Sequence, residues 1–123
     1  MTLALFFTSR VLGPGPVAKL KDGKVLQTVR SRKEAAPFLT KQGSEVPVTL
    51  DGVLLYRARI TNVRRTTLAA LTDFDAELGG FDDMWAFKAA SRRAGFRFRP
   101  AEEYEVFAIQ FQPVKGFLAG APE

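Results

Sequence analysis

Between two apolar neighbourhoods the chain reads DGKVLQTVRSRK over residues 22–33. Lys24 brings a point charge, Thr28 a hydroxyl, and Arg30 a planar fork of five N–H donors. The turn at Asp22-Gly23 adds backbone N–H groups beside them. Lys24 stands four residues before Thr28 and six before Arg30, so on a regular strand all three project to one face. Such a face suits a phosphate or the edge of a nucleobase. The same pattern also describes a charged edge strand that guards itself against association.

Other charged groups extend the choice. Arg57, Arg59, Arg64 and Arg65 form a second basic set, and Lys88, Arg92, Arg93, Arg97 and Arg99 a third. Gathered on one surface they would follow a nucleic-acid backbone; dispersed, they only solvate the protein. Residues 73–83 hold five acids and no base: Asp73, Asp75, Glu77, Asp82 and Asp83. Helix starts account for some of these, which leaves Glu77 as the candidate general acid or base. It needs a buried or crowded setting to raise its pKa toward neutrality, and an exposed Glu77 is surface decoration.

The composition removes whole classes of chemistry. With no cysteine and no histidine, disulfides, thiolate catalysis and the usual zinc sites are excluded. Proton transfer near neutral pH falls to Lys, Asp, Glu, Tyr or water. A hard-cation site of carboxylates stays open, but no metal ligand set and no cofactor motif is assigned. The prolines at 14 and 16 also rule out a phosphate-binding loop there. Lys and Arg number 18 against 13 Asp and Glu, a net charge of +5 that favours polyanionic partners.

A chain of 123 residues with 46% hydrophobic content makes one domain with a real core. Residues 3–7 (LALFF) are too short to span a membrane and lack the form of a secretory signal, so a cytoplasmic protein without membrane attachment is expected. Residues 3–7 read as a buried first strand, and the GPGP run at 13–16 as a loop. An extended stretch follows over 25–29, then a short helix capped by Ser31. A hairpin is expected over 46–50 and 53–63, turning at Asp51-Gly52. On its second strand Leu54, Tyr56, Ala58 and Ile60 share one face, with Arg57 and Arg59 on the other. Thr72 and Asp75 have capping-box spacing, a helix runs over about 81–94 with Trp85 in its core stripe, and residues 103–112 alternate as an inner strand. The order gives an α+β, small, mostly antiparallel β-barrel or curved sheet with short helices packed outside. Residues 113–123 read as an extended tail carrying Phe117 and Leu118.

Laid out this way, residues 3–112 resemble the ASCH domain family of the PUA-like superfamily of small β-barrels. The pieces that carry the resemblance are LALFF, GKVLQTVR, the strand ending RITNVRRT, LAALTDFDAELGGF, and YEVFAIQF, in that order. The resemblance implies a single ASCH/PUA-like domain with a cleft for RNA or a nucleotide-like ligand. One branch of the family hydrolyses the amide of N4-acetylated cytidine with a lysine, a threonine and a glutamate; another cleaves RNA. Gly23, Thr28 and Arg30 match the family's residues. Its lysine stands three before the threonine, where this chain has Val25, so Lys24 is one step early and a bulge would be needed to aim it. Gly79 occupies the place of the glutamate, with Glu77 two residues before it. The expectation is an RNA- or nucleotide-binding module with a basic cleft formed by Gly23, Lys24, Thr28, Arg30, Arg57 and Arg59. The alternatives are an amidohydrolase using Lys24, Thr28 and Glu77, a metal-independent ribonuclease, and an interaction module whose Phe117 and Leu118 dock a partner.

Overall fold

Alternating apolar residues and a few turn and capping residues set out the secondary structure. The structure, a computed structural model, describes residues 3–95 and 104–114. In chain order it contains β1 (Leu5–Phe7), α1 (Ser9–Leu12), α2 (Pro14–Lys21), β2 (Gln27–Arg30), α3 (Arg32–Ala35), β3 (Glu45–Leu50), β4 (Val53–Thr67), α4 (Asp73–Leu78), α5 (Met84–Arg93) and β5 (Glu105–Pro113). The strands form one sheet in the order β1-β3-β4-β5-β2. β1 runs parallel to β3, and the remaining pairs are antiparallel. This is an α+β, PUA-like curled sheet with short helices packed outside.

The curl comes from β4. Its first part, Val53 to Arg59, pairs with β3; its second, Ala58 to Thr67, pairs with β5. The register shifts between Ile60 and Asn62, where the strand passes from one partner to the other. A bulge at such a point bends the strand and increases its twist. Leu5, Leu20, Val48, Tyr56, Ile60 and Phe111 fill the hollow of the sheet. A second cluster, including Phe81, Phe87 and Val106, holds α4 and α5 against the sheet. β5 is therefore buried on both faces, as an inner strand.

Three local expectations are corrected. The GPGP run is not a loop: Gly13 is the N-cap of α2, and Pro14 occupies its first helical position. The first N–H groups of a helix have no intrahelical acceptor, so proline there removes nothing and pre-sets φ. Leu54 does not share the core face with Tyr56, because the register shifts after Val48 and pairs Thr49 with Leu54. Leu54 is 59% exposed, and Leu55 packs on the core instead. Trp85 is not a core residue. Phe81 precedes α5 rather than belonging to it, so a stripe counted from Phe81 has the wrong phase. The helix starts after Asp83 and buries Phe87, Ala90 and Ser91.

The capping predictions are seen in atomic detail. Ser31 accepts the N–H of Glu34, and Thr72 and Asp75 form a full capping box. β5 extends through Pro113, and the N–H of Val114 donates to the carbonyl of Arg57. Arg97, Arg99, Phe117 and Leu118 lie outside the described residues. Among the described residues no helix is long and apolar enough to cross a membrane.

Candidate functional site

β1 and β2 are the two edges of the sheet, and the space between them is bridged by one side chain. Thr28 and Arg30 are two residues apart on β2 and so share a face. Arg30 Nε donates to Thr28 Oγ1 at 2.9 Å, and Arg30 Nη2 donates to the Phe6 carbonyl of β1 at 2.7 Å. The guanidinium carbon sits 5.1 Å from the centre of the Phe7 ring, within cation–π range. Desolvation lowers the Arg30 pKa, and the nearby charge of Glu34 works in the opposite direction. The group stays a cation, as arginine does throughout the accessible range. Two of its five donors are used, which leaves three with no protein partner among the described residues.

Arg30 forms part of the wall of a cavity of about 320 Å³ at this seam. β1 contributes Phe6 and Phe7, β2 contributes Gln27 to Arg30, the helices contribute Arg10, Glu34, Asp75, Phe87 and Arg93, and the link between α4 and α5 contributes Phe81. Phe81 and Phe87 meet edge to face, with centroids 5.8 Å apart. Arg93 is steadied by donating Nε to the Val11 carbonyl at 2.9 Å. Three guanidiniums and two carboxylates thus line one aromatic-walled space.

Asp75 has two jobs. Its Oδ2 accepts from the Thr72 backbone N–H and hydroxyl, completing the helix cap. Its Oδ1 accepts from Gln27 Nε2 and Arg64 Nη2, each at 3.2 Å. Gln27 is itself buried and accepts from Gln110 Nε2 at 3.2 Å, so the network ties β2, β4, β5 and α4 together. Burial pulls the Asp75 carboxyl up, but hydrogen bonds from the Thr72 backbone, Gln27 and the Thr72 hydroxyl, with the charge of Arg64, outweigh it and hold the pKa below its ordinary value. At neutral pH Asp75 is a fixed acceptor with no proton to give.

The other candidate residues lie elsewhere. Gly23 sits in the turn after α2 at φ 72°, outside the cavity. Lys24 is exposed because Val25, the next residue, is buried in the core, and β2 begins only at Gln27. No bulge aims Lys24 inward. Glu77 is exposed on α4, one residue past buried Ala76. Arg57 and Arg59 lie on the outer side of β4, both paired with Glu45. Of the residues singled out as ligand-binding, Thr28 and Arg30 reach the cavity together. Gly79 also lines it, so the position where the family's glutamate would stand presents no side chain. Sequence reasoning passed over Asp75 and Gln27. Asp75 was explained fully by its cap, and nothing local marks a glutamine as buried.

No family model matches the sequence, and no curated protein does. Solved structures do. The ASCH domain from Lactobacillus crispatus JV V101 superimposes with a TM-score of 0.61 and 16% identity, over 89% of this chain and 79% of that one. The chain has the ASCH fold. A protein from Enterococcus faecalis V583 assigned to the family model DUF984 gives a TM-score of 0.65 at 15% identity, over 93% of this chain and 77% of that one. Hypothetical protein PH0355 gives 0.50 at 16% identity, over 91% of this chain and all of that one. At such identities the likeness concerns the ASCH-like architecture, and the chemistry must be argued from this chain's own cavity.

Proposed function

We propose that this ASCH-like module binds a nucleotide, free or as part of single-stranded RNA, with one base lodged in the seam cavity. What supports the reading is the convergence of Thr28, Arg30 and Asp75 on one space beside Phe81 and Phe87. A cavity of about 320 Å³ is at the lower end for small-molecule sites and suits one nucleotide unit rather than a helix. Aromatic rings give a base a face to stack on. The spare donors of Arg30 meet carbonyl or phosphate oxygens. Arg10 and Arg93 at the same cavity favour an anionic ligand.

Binding is favoured over hydrolysis because Lys24 and Glu77 stand outside the cavity. Thr28 then has an arginine, which cannot take up a proton, as its hydrogen-bond partner. The test is a titration of the isotope-labelled protein with the four nucleoside 5′-monophosphates and a short single-stranded RNA. Saturable shifts of Thr28 and Arg30 resonances, weakened at least tenfold in Arg30→Ala, are expected. Silence of these resonances at millimolar ligand refutes the reading. Release of cytidine from N4-acetylcytidine at high protein concentration would replace it with the amidohydrolase.

A further inference from the structure

A second cavity, of about 330 Å³, opens beside the first. It lies between the start of α2, with Pro14 and Pro16, and Ala86 and Ala89 of α5. The two cavities share Leu12, Phe81 and Arg93, so they are neighbours with a common wall. Arg93 stands astride that wall. Its Nε donates at 2.9 Å to the carbonyl of Val11, which lines the first cavity. Its Nη2 lies beside Gly13, which lines the second, and a Cβ added to Gly13 would be 3.7 Å from it. The donors on Nη1 and Nη2 meet no partner among the described residues.

We propose that the second cavity receives the adjoining nucleotide of a single-stranded oligonucleotide, with Arg93 gripping the phosphate that joins it to the nucleotide in the first. The inference rests on the cavity reading above and goes beyond it, because it makes the ligand a chain of at least two nucleotides. The two cavities are nearly equal in volume, about 320 and about 330 Å³, as a repeating unit requires. A phosphodiester lies between two nucleosides, and a guanidinium with spare donors lies between the two cavities. Its planar fork matches two phosphate oxygens. The faces of Pro14, Pro16, Ala86 and Ala89 give the second cavity apolar surface for a base or ribose, as small-molecule sites mostly have. Its charged residues are Lys19, Asp82 and Arg93. Lys19 and Asp82 offset each other at 3.8 Å, which leaves one cation, Arg93, for one phosphodiester. Lys88 and Arg92, the other cations of α5, line neither cavity.

The test is a titration of the isotope-labelled protein with three ligands of one base: the nucleoside 5′-monophosphate, the 5′-diphosphate and the 5′-phosphorylated dinucleotide. The base is the one whose monophosphate binds tightest. The dinucleotide should bind about tenfold tighter than either mononucleotide, the effect of one further base held. It alone should shift the amide resonances of Lys19, Ala86 and Ala89. In Ala89→Phe, which puts a ring into the second cavity, the advantage of the dinucleotide over the monophosphate should disappear; circular dichroism verifies the fold of the variant. Equal affinity of the diphosphate and the dinucleotide would mean that Arg93 answers to charge alone, and overturns the proposal. So does an advantage that survives in folded Ala89→Phe. A dinucleotide that binds no tighter than the monophosphate, or leaves Lys19, Ala86 and Ala89 unmoved while Thr28 and Arg30 respond, overturns it and leaves the cavity reading standing. Silence of Thr28 and Arg30 with all three ligands refutes both.

Discussion

Replacing Arg30 by lysine keeps the charge and removes the fork. An ammonium group is one donor centre, and it cannot serve Thr28 Oγ1 and the Phe6 carbonyl together as Nε and Nη2 do at 2.9 and 2.7 Å. A hydrogen bond from a charged donor contributes about 1.5–3 kcal/mol, and a partly exposed cation–π contact with Phe7 about 0.5–1 kcal/mol. Lysine retains one of the bonds, so Arg30→Lys should cost about 1.5 kcal/mol. Arg30→Met loses both, but the cavity lets water reach the freed oxygens, which limits the cost to about 2–3 kcal/mol. Urea unfolding at pH 7 measures both, provided the m-value is unchanged. Both acceptors are neutral, so the loss should be nearly the same at low and high salt. A cycle with Thr28→Val should show a coupling of about 1 kcal/mol, as contacting residues do. If Arg30→Lys stayed within about 0.3 kcal/mol of the parent, or Thr28→Val and Arg30→Met were additive, Arg30 would not be the bridge between the sheet edges.

Neighbouring glycines should respond unequally. Gly80 has φ 91°, and an added Cβ would lie 2.9 Å from Val25 Cγ2, so Gly80→Ala should lose about 2–4 kcal/mol in denaturant unfolding from backbone strain and overpacking. Gly79 has φ −83° with its nearest neighbours at 3.4 Å, so Gly79→Ala should lie within about 1 kcal/mol of the parent. Asp75 has a pKa lowered on folding from its ordinary 3.8, so its stabilising contribution is present above 3.8 and fades as pH falls through the folded value. The stability gap between the parent and Asp75→Asn, read by urea unfolding, should therefore narrow on acidification below about pH 4. Binding of a short single-stranded RNA should weaken with salt with a log–log slope of about −1.4 to −2, as for two or three phosphate contacts, and fluorescence anisotropy across a salt series measures it.

The fold was legible because its signals were local. Two alternating runs around Asp51-Gly52 formed the hairpin, and Ser31 and Thr72 capped the helices they preceded, with Asp75 closing the capping box from inside α4. What misled was phase. A single bulge after Val48 turned Leu54 outward, and one residue counted into α5 put Trp85 inside. In both cases the periodicity was real but its origin was misplaced, and only tertiary packing fixes an origin. Proline at the start of α2 misled for another reason: the residue that breaks a helix interior is well suited to its first turn.

The cavity shows a deeper limit of reading one strand at a time. Thr28 and Arg30 were found because both lie on β2, where a spacing of two fixes a common face. Lys24 obeyed the same parity, yet the strand starts three residues after it, and burial of Val25 aims Lys24 at solvent. Asp75 comes from a helix 45 residues further on and is brought to β2 by Gln27 and Arg64, long-range contacts that leave no periodic trace. Parity along a strand predicts which side chains can act together only where that strand exists. The partner that makes them a site is supplied by the way the sheet curls, with β4 carrying β3 on one part and β5 on the other. Arg30 reaches Phe6 because this curl brings the two edges close while leaving them unpaired, and the cavity exists because the seam is held by a side chain instead of a ladder.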